Sequence, residues 1–195
     1  MSKVLDNYSY PVKFIDAVWG KGLTNLDELT KHQVGSLKPG EVGCFLSHCK
    51  AYEAISQHPP NVWGLILEDD VILDNDWDTR LLKAMKQIPQ ADILSCGMDT
   101  SAKFFEAIGS DVSSKITNSI DKVFSSDLVE SAPRLATHAI AYTPHGARNI
   151  IKQLGDIETA IDVQLYYDRV KLSRYALRKG FASQNNAKYN STIQN

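Results

Sequence analysis

The stretch Leu65-Ile66-Leu67-Glu68-Asp69-Asp70-Val71-Ile72-Leu73 decides how the chain is read. An apolar run ends in three adjacent acids, and a second apolar run follows at once. Val62–Leu67 is short, partly β-branched and preceded by the breakers Pro59 and Pro60. That is the pattern of a strand buried on both faces, as parallel sheets require. Three carboxylates cannot sit unpaired inside such a sheet, because each isolated buried charge costs many kcal/mol. Glu68, Asp69 and Asp70 are therefore expected at the carboxyl end of the strand, where open α/β sheets bind their ligands. Carboxylates one and two positions apart at a strand end can converge on one hard cation. The plainer alternative is a solvated acidic turn. Glu68 and Asp70 share a strand face and Asp69 points the other way. Asp70 is the first candidate for direct metal contact, with Glu68 or Asp69 acting on the water shell of the metal or on a sugar hydroxyl. A dication held there can neutralise a diphosphate leaving group.

Working outward, 195 residues with 43% hydrophobic and 23% charged content describe one ordinary globular domain rather than a disordered chain or a membrane protein. Residues 1–11 and about 184–195 are polar and peripheral to it. A net charge of −2 exerts no general pull on nucleic acid, so any anion site must be local. No apolar stretch reaches membrane-spanning length, and the first residues lack the apolar core of a signal peptide. Cys44, Cys49 and Cys96 form an odd set without a metal-ligand pairing motif, which suits a reducing compartment. The expected location is cytoplasmic, at most peripheral to the inner membrane surface. The sequon at Asn190 is then a chance match.

Along the chain, Val12–Trp19 alternates loosely enough for a strand that Gly20 and Gly22 stop. Thr24 or Asn25 caps a short helix. Glu41–Gln57 reads as an amphipathic helix through Val42, Phe45, Leu46, Cys49 and Ile55. A helix begun by Asp76 or Asp78 runs to about Ile88, with Leu81, Leu82, Met85 and Ile88 inward. Ala91–Cys96 is a second buried strand. Residues 97–132 hold no period and read as an active-site or acceptor loop containing short helical or strand pieces. Arg134–Thr143 is a third strand. Pro144 opens a helix that turns Ile150, Ile151 and Leu154 inward and closes at Gly155. Ile161–Leu172 is helical by period. This alternation predicts a three-layer α/β domain around a mostly parallel sheet.

The candidate chemistry is spread over four further places. Glu41 and His48 share a face of the Glu41–Gln57 helix, with Cys44 between them. Ser47 and His48 either project into a site or, for His48, form a satisfied core histidine. Asp162 stands at a helix start as an N-cap or as a general base. His138 is a core histidine or a metal or phosphate contact. Arg169, Lys171, Arg174, Arg178 and Lys179, interleaved with Tyr166, Tyr167 and Tyr175, form a solvated helix face or an anion-binding patch. The chain has no G-x-G-x-x-G, Walker A or G-x-S-x-G motif.

Lys38-Pro-Gly-Glu-Val-Gly-Cys-Phe-Leu-Ser-His-Cys-Lys-Ala-Tyr52, followed by Trp63-Gly-Leu-Ile-Leu-Glu-Asp-Asp-Val71, resembles glycosyltransferase family 25. That family includes lipooligosaccharide and collagen galactosyltransferases. Weaker echoes are Phe14-Ile-Asp-Ala-Val18, Thr137-His-Ala-Ile-Ala-Tyr142 with His145-Gly-Ala147, Ile161-Asp-Val-Gln-Leu165, and the tail from Gln184 to Ile193. Together they extend over residues 12–193. The resemblance implies a GT-A-like, Rossmann-like fold, a divalent cation (Mn2+ or Mg2+), and transfer of a hexose from a UDP-sugar to a saccharide acceptor, most often galactose and with inversion. It puts Glu68-Asp69-Asp70 at the family's counterpart of the DxD motif, with Glu68 and Asp70 on the metal and Asp69 on the donor. Asp162 is then the base, Ser47, His48 and His138 bind substrate or donor, and Asp16, Ala17, Val18 and Trp19 line the nucleotide side. One departure stands out. Family members begin with a strand and an Arg-containing turn that helps hold the base, and Met1–Pro11 has neither. This motivates a rival reading as a non-catalytic binding relative. The basic cluster motivates another, a sugar transferase acting on modified DNA bases.

Overall fold

The computed structural model describes residues 10–24, 26–30, 37–97, 122–130, 137–166 and 171–184. Its strands are β1 (Gly64–Leu67), β2 (Val71–Leu73), β3 (Ile93–Ser95), β4 (Lys122–Val123), β5 (Leu128–Glu130), β6 (Ala139–Tyr142), β7 (Arg174–Leu177) and β8 (Ala182–Gln184). Its α-helices are α1 (Leu26–Leu29), α2 (Pro39–Ser56), α3 (Trp77–Gln87), α4 (Pro144–Leu154) and α5 (Ile161–Tyr166). The class is α/β, as the alternation of patterns predicts. Six strands form one sheet in the order β1-β6-β3-β7-β5-β4, and β2 pairs with β8 apart from it.

The expectation of a mostly parallel sheet is corrected. Among the described strand pairs of this sheet only β3 and β7 run parallel, with β1–β6, β6–β3, β7–β5 and β5–β4 antiparallel; Gly97 and Ala182 add one isolated parallel bridge. The expectation rested on the uninterrupted apolar run before Glu68. Such a run reports burial and is blind to the direction of the neighbouring strand. Nor is that run the doubly buried strand: β1 lies at the edge of the described sheet and every residue in it is half-buried. Full burial on both faces belongs to β3 and β6.

Register sorts side chains between the two faces with period two. Leu65, Ala141, Leu94 and Tyr175 lie opposite one another across four strands. They share a cluster with Trp77, Leu81, Ala84 and Ile88 of the α3 segment. Ile93, Ile140 and Tyr142 face the other way, onto Val42, Phe45, Tyr52 and Ile55 of α2, Ile150 and Leu154 of α4, and Ile161 and Leu165 of α5. Burying aliphatic and aromatic side chains on both faces is the main favourable term holding these elements together.

The helices begin and end where local chemistry dictates. The α2 helix starts two residues before the expected Glu41, with Pro39 in its first turn; the Glu41 carboxylate accepts the Lys38 N–H at 2.7 Å. In α3 the buried stripe is Trp77, Leu81 and Ala84, with Ile88 just beyond it. Leu82, expected inward, is 41% exposed, because it stands one helical step off that stripe. Ile151 of α4 is 43% exposed for the same reason, whereas Ile150 and Leu154 are buried. The Thr143 hydroxyl caps α4 by accepting the Gly146 N–H at 2.9 Å, and Gly155 closes it at φ +64°.

Three further expectations change. Residues 11–19 make no strand; Val12 and Phe14 are exposed, and the segment instead lies along α2. Loose alternation makes a strand only where a sheet edge receives it. Ile161–Leu172 is helical only as far as Tyr166 within the described residues. The basic cluster is not one helix face: Arg174 opens β7, Arg178 follows it, and Tyr175 is buried rather than displayed. Arg169 and Tyr167 lie outside the described residues, as do Asn190 and most of the 97–132 stretch, of which β4 and β5 are the expected short pieces. Among the described residues, no helix is long and apolar enough to cross a membrane.

The start of α4 presses against the start of β3. A Cβ at Gly146 would come 2.3 Å from the Asp92 carbonyl oxygen, which is backbone and cannot swing aside. Gly146→Ala is therefore expected to destabilise the fold by about 1–3 kcal/mol, read as a lower urea midpoint with an unchanged slope.

Candidate functional site

The acids stand just past β1. The Glu68 N–H donates to the His138 carbonyl at 3.1 Å, one step beyond the last ladder pair, and the Val71 N–H closes a turn onto the Glu68 carbonyl at 3.3 Å. The chain then turns into β2, which pairs with β8 so that Val71 lies opposite Gln184. Two separated stretches, 137–138 and the end of β8, are thereby brought to the acidic turn.

Glu68 points inward. Its Oε1 accepts the Thr137 hydroxyl at 2.6 Å and lies 3.5 Å from His48 Nε2; its Oε2 is 3.4 Å from Gln184 Nε2. Burial pushes the carboxyl up, but the bonds from His48 and Thr137 and the nearby imidazoles outweigh it and hold the group below the usual range. Asp69 is exposed. Asp70 is half-buried, and its Oδ1 is buried without a hydrogen-bond partner among the described residues. Partial burial, then Glu68 and Asp69, push its carboxyl above the ordinary value. The turn thus holds one satisfied carboxylate and one short of a partner.

Two histidines flank it. His48, 5% exposed on α2, has its ring 5.9 Å from that of Tyr52, whose hydroxyl meets Tyr142 at 3.4 Å. His138, 2% exposed, has both ring nitrogens without a partner among the described residues. Its ring lies against the backbone of Gly97, where a Cβ would come 2.0 Å from Nε2. Any side chain at 97 would displace that imidazole.

Cys44 stands one turn before His48 on α2. Burial, then the fields of Glu68, Asp162 and Glu41, push its thiol up to about 12. Asp162, in the first turn of α5, is thus electrostatically within reach of the same cluster. Its Oδ1 accepts the Val163 N–H at 2.8 Å. Among the described residues, one set of three potential ligand atoms lies within 4.8 Å of one another, from Cys44, His48 and Glu68.

The segment 16–19 lies elsewhere on α2. Ser47 Oγ accepts the Val18 N–H at 2.8 Å and donates to the Gly43 carbonyl at 2.6 Å, so this hydroxyl is committed to positioning that segment. Lys50 Nζ donates to the Asp16 carbonyl at 3.2 Å. A Cβ at Gly43 would come 2.5 Å from the Val18 carbonyl oxygen, so glycine permits the close approach. The side chains of Asp16, Ala17 and Trp19 are exposed.

The structure therefore gathers Glu68, Asp70, His48 and His138, brings Asp162 into the field of Cys44, and sets Asp16–Trp19 on the flank of α2. Sequence reasoning missed the partners of Glu68, namely Thr137 and Gln184, and the grouping of Cys44. The Cys44-x-x-x-His48 spacing on one helix face was the available signal for the last; nothing local announces the other two.

A family model described as glycosyltransferase family 25 (LPS biosynthesis protein) matches residues 1–165. Human procollagen galactosyltransferase 2 is similar at 30% identity over 104 residues, which is 48% of this chain and 16% of that protein. The mouse procollagen galactosyltransferase 2 is 29% identical over the same length, with the same shares. The match thus covers only a small part of the length of these relatives.

Proposed function

Because the chain belongs to glycosyltransferase family 25, we propose that it moves a hexose, galactose foremost, from a UDP-sugar to a hydroxyl of a saccharide acceptor, as in lipopolysaccharide assembly. The observation that carries this reading is the orphaned, partly buried Asp70 Oδ1 beside Glu68 at the end of β1. Helices on either face of the sheet suit a GT-A-like, three-layer arrangement.

The donor set fits a hard dication, Mn2+ or Mg2+: carboxylate oxygens, one lacking a hydrogen bond, in a turn where three acids repel one another. Asp70 and Glu68 would hold it, and when bound it supplies charge neutralisation at the diphosphate leaving group. The protein does the rest. Thr137, His48 and Gln184 fix the Glu68 carboxylate in one orientation. Asp69, which is exposed, would meet a donor hydroxyl, and His138 would offer a ring nitrogen near Glu68 and Asp70. Ser47 anchors the Asp16–Trp19 segment along the nucleotide. Asp162 takes the proton from the acceptor hydroxyl as that oxygen attacks the anomeric carbon from the face opposite UDP, inverting the centre.

The test is thermal denaturation with UDP and Mn2+. A ligand at a hundred times its Kd stabilises the native state by about 2.7 kcal/mol, and Asp70→Asn is expected to remove that gain. Transfer from UDP-galactose to lipooligosaccharide cores then identifies the acceptor. No stabilisation at high ligand would overturn the reading in favour of a non-catalytic relative.

A further inference from the structure

We propose that Cys44, His48 and Glu68 form a second metal site, selective for a Zn2+-class transition cation and distinct in chemistry from the carboxylate site at Asp70. Cys44 and His48 lie four apart on α2, so they project from one face of the helix one above the other. The end of β1 brings Glu68 opposite them. The thiol, an imidazole nitrogen and a carboxylate oxygen all lie within 4.8 Å of one another.

The distances suit a small tetrahedral ion. Zinc bonds of about 2.3 Å to sulfur and about 2.0–2.2 Å to nitrogen and oxygen place ligand atoms about 3.3–3.6 Å apart. His48 Nε2 and Glu68 Oε1 already stand at 3.5 Å. Cys44 Sγ lies within 4.8 Å of both atoms, so an ion bound there draws the thiol closer to them. The mixed S, N, O set selects for a borderline-soft cation over Mn2+ or Mg2+. Outer contacts are present, since Thr137 and Gln184 orient the Glu68 carboxylate. His48 is 5% exposed, so packing that includes the Tyr52 ring holds the imidazole in place with Nε2 toward Glu68, while its Nδ1 has no partner among the described residues.

Three protein ligands leave a fourth position open, as in sites that accept water or an exogenous group. Because Glu68 is shared, a cation on Cys44 and His48 draws this carboxylate away from Asp70. The two sites therefore compete. The inference does not need the donor-site reading to hold, since its ligands are defined without Asp70.

Cobalt is the probe, used with the whole chain. Co2+ alone is expected to bind with one equivalent and to give a near-ultraviolet sulfur-to-cobalt charge-transfer band, displaced by Zn2+. Cys44→Ser abolishes the band, Cys49→Ser and Asp70→Asn keep it, and Glu68→Gln weakens cobalt binding by at least about tenfold. Thermal denaturation of the metal-free variants confirms that each is folded. No charge-transfer band in the wild type, a band that survives Cys44→Ser, or one lost in Asp70→Asn overturns the site. Failure of UDP–Mn2+ binding is read separately, by the thermal measurement above, and leaves the cobalt result standing.

Discussion

Asp162→Asn is expected to lower the rate of sugar transfer by about a hundredfold to ten-thousandfold while leaving Mn2+-dependent UDP binding unchanged. The amide is nearly isosteric, and its oxygen can still accept the Val163 N–H that Asp162 Oδ1 accepts at 2.8 Å. The first turn of α5 therefore survives, and Ile161 and Leu165 stay in the core. What is lost is basicity: an amide cannot take a proton from an acceptor hydroxyl. The loss belongs in kcat rather than in donor KM, and the limb of the pH–rate profile that reports the base should vanish with it. Measured transfer with kcat within a few-fold of wild type would remove Asp162 from this role and leave it a first-turn acid that favours the α5 N-terminus; being inside that turn, it is not the N-cap its residue type suggests.

Leu94→Ala is expected to cost about 2–5 kcal/mol of folding stability, a large share of the roughly 5–15 kcal/mol that typical domains possess. Leu94 is 0% exposed in the middle of β3, flanked by antiparallel β6 and parallel β7. Its side chain lies in the row Leu65–Ala141–Leu94–Tyr175, in the same cluster as Trp77, Leu81 and Ile88. A cavity there cannot collapse from the strand side, because both neighbours are held by ladder bonds. The same strand leads through Cys96 to Gly97, against which the His138 ring rests. The variant should therefore loosen the site as well as the fold. Urea denaturation provides the measurement, with Leu82→Ala as control; being exposed on α3, that change should stay within about 0.5 kcal/mol. A Leu94→Ala midpoint equal to that of the control would show that the cluster does not depend on this side chain.

Gly43, Gly97 and Gly146 illustrate how much of the site was invisible in one dimension. Each is an ordinary glycine in the sequence, yet each lets a backbone or an imidazole approach more closely than a Cβ allows. Thr137 and Gln184 are likewise unremarkable residues far apart in the chain. They become partners of Glu68 only because its N–H continues the β1–β6 ladder and because β2 pairs with β8.

The sequence by itself determined the α2, α3 and α4 helices to within a turn, through the Pro-Gly-Glu run at 39–41, the acids at 76 and 78, Pro144, and the spacing of their apolar residues. It also determined the buried strands at 93–95 and 139–142, and the acidic end of the 64–67 strand, because burial and capping are local properties written in residue type. Tertiary structure alone decided the direction of neighbouring strands, the edge position of β1, and the fate of 11–19 as a segment lying on α2 rather than a strand. It also decided which carboxylate is satisfied and which is not. Those outcomes depend on long-range pairing, and hydrophobic pattern fixes which side chains leave water without saying which partners they meet when they do.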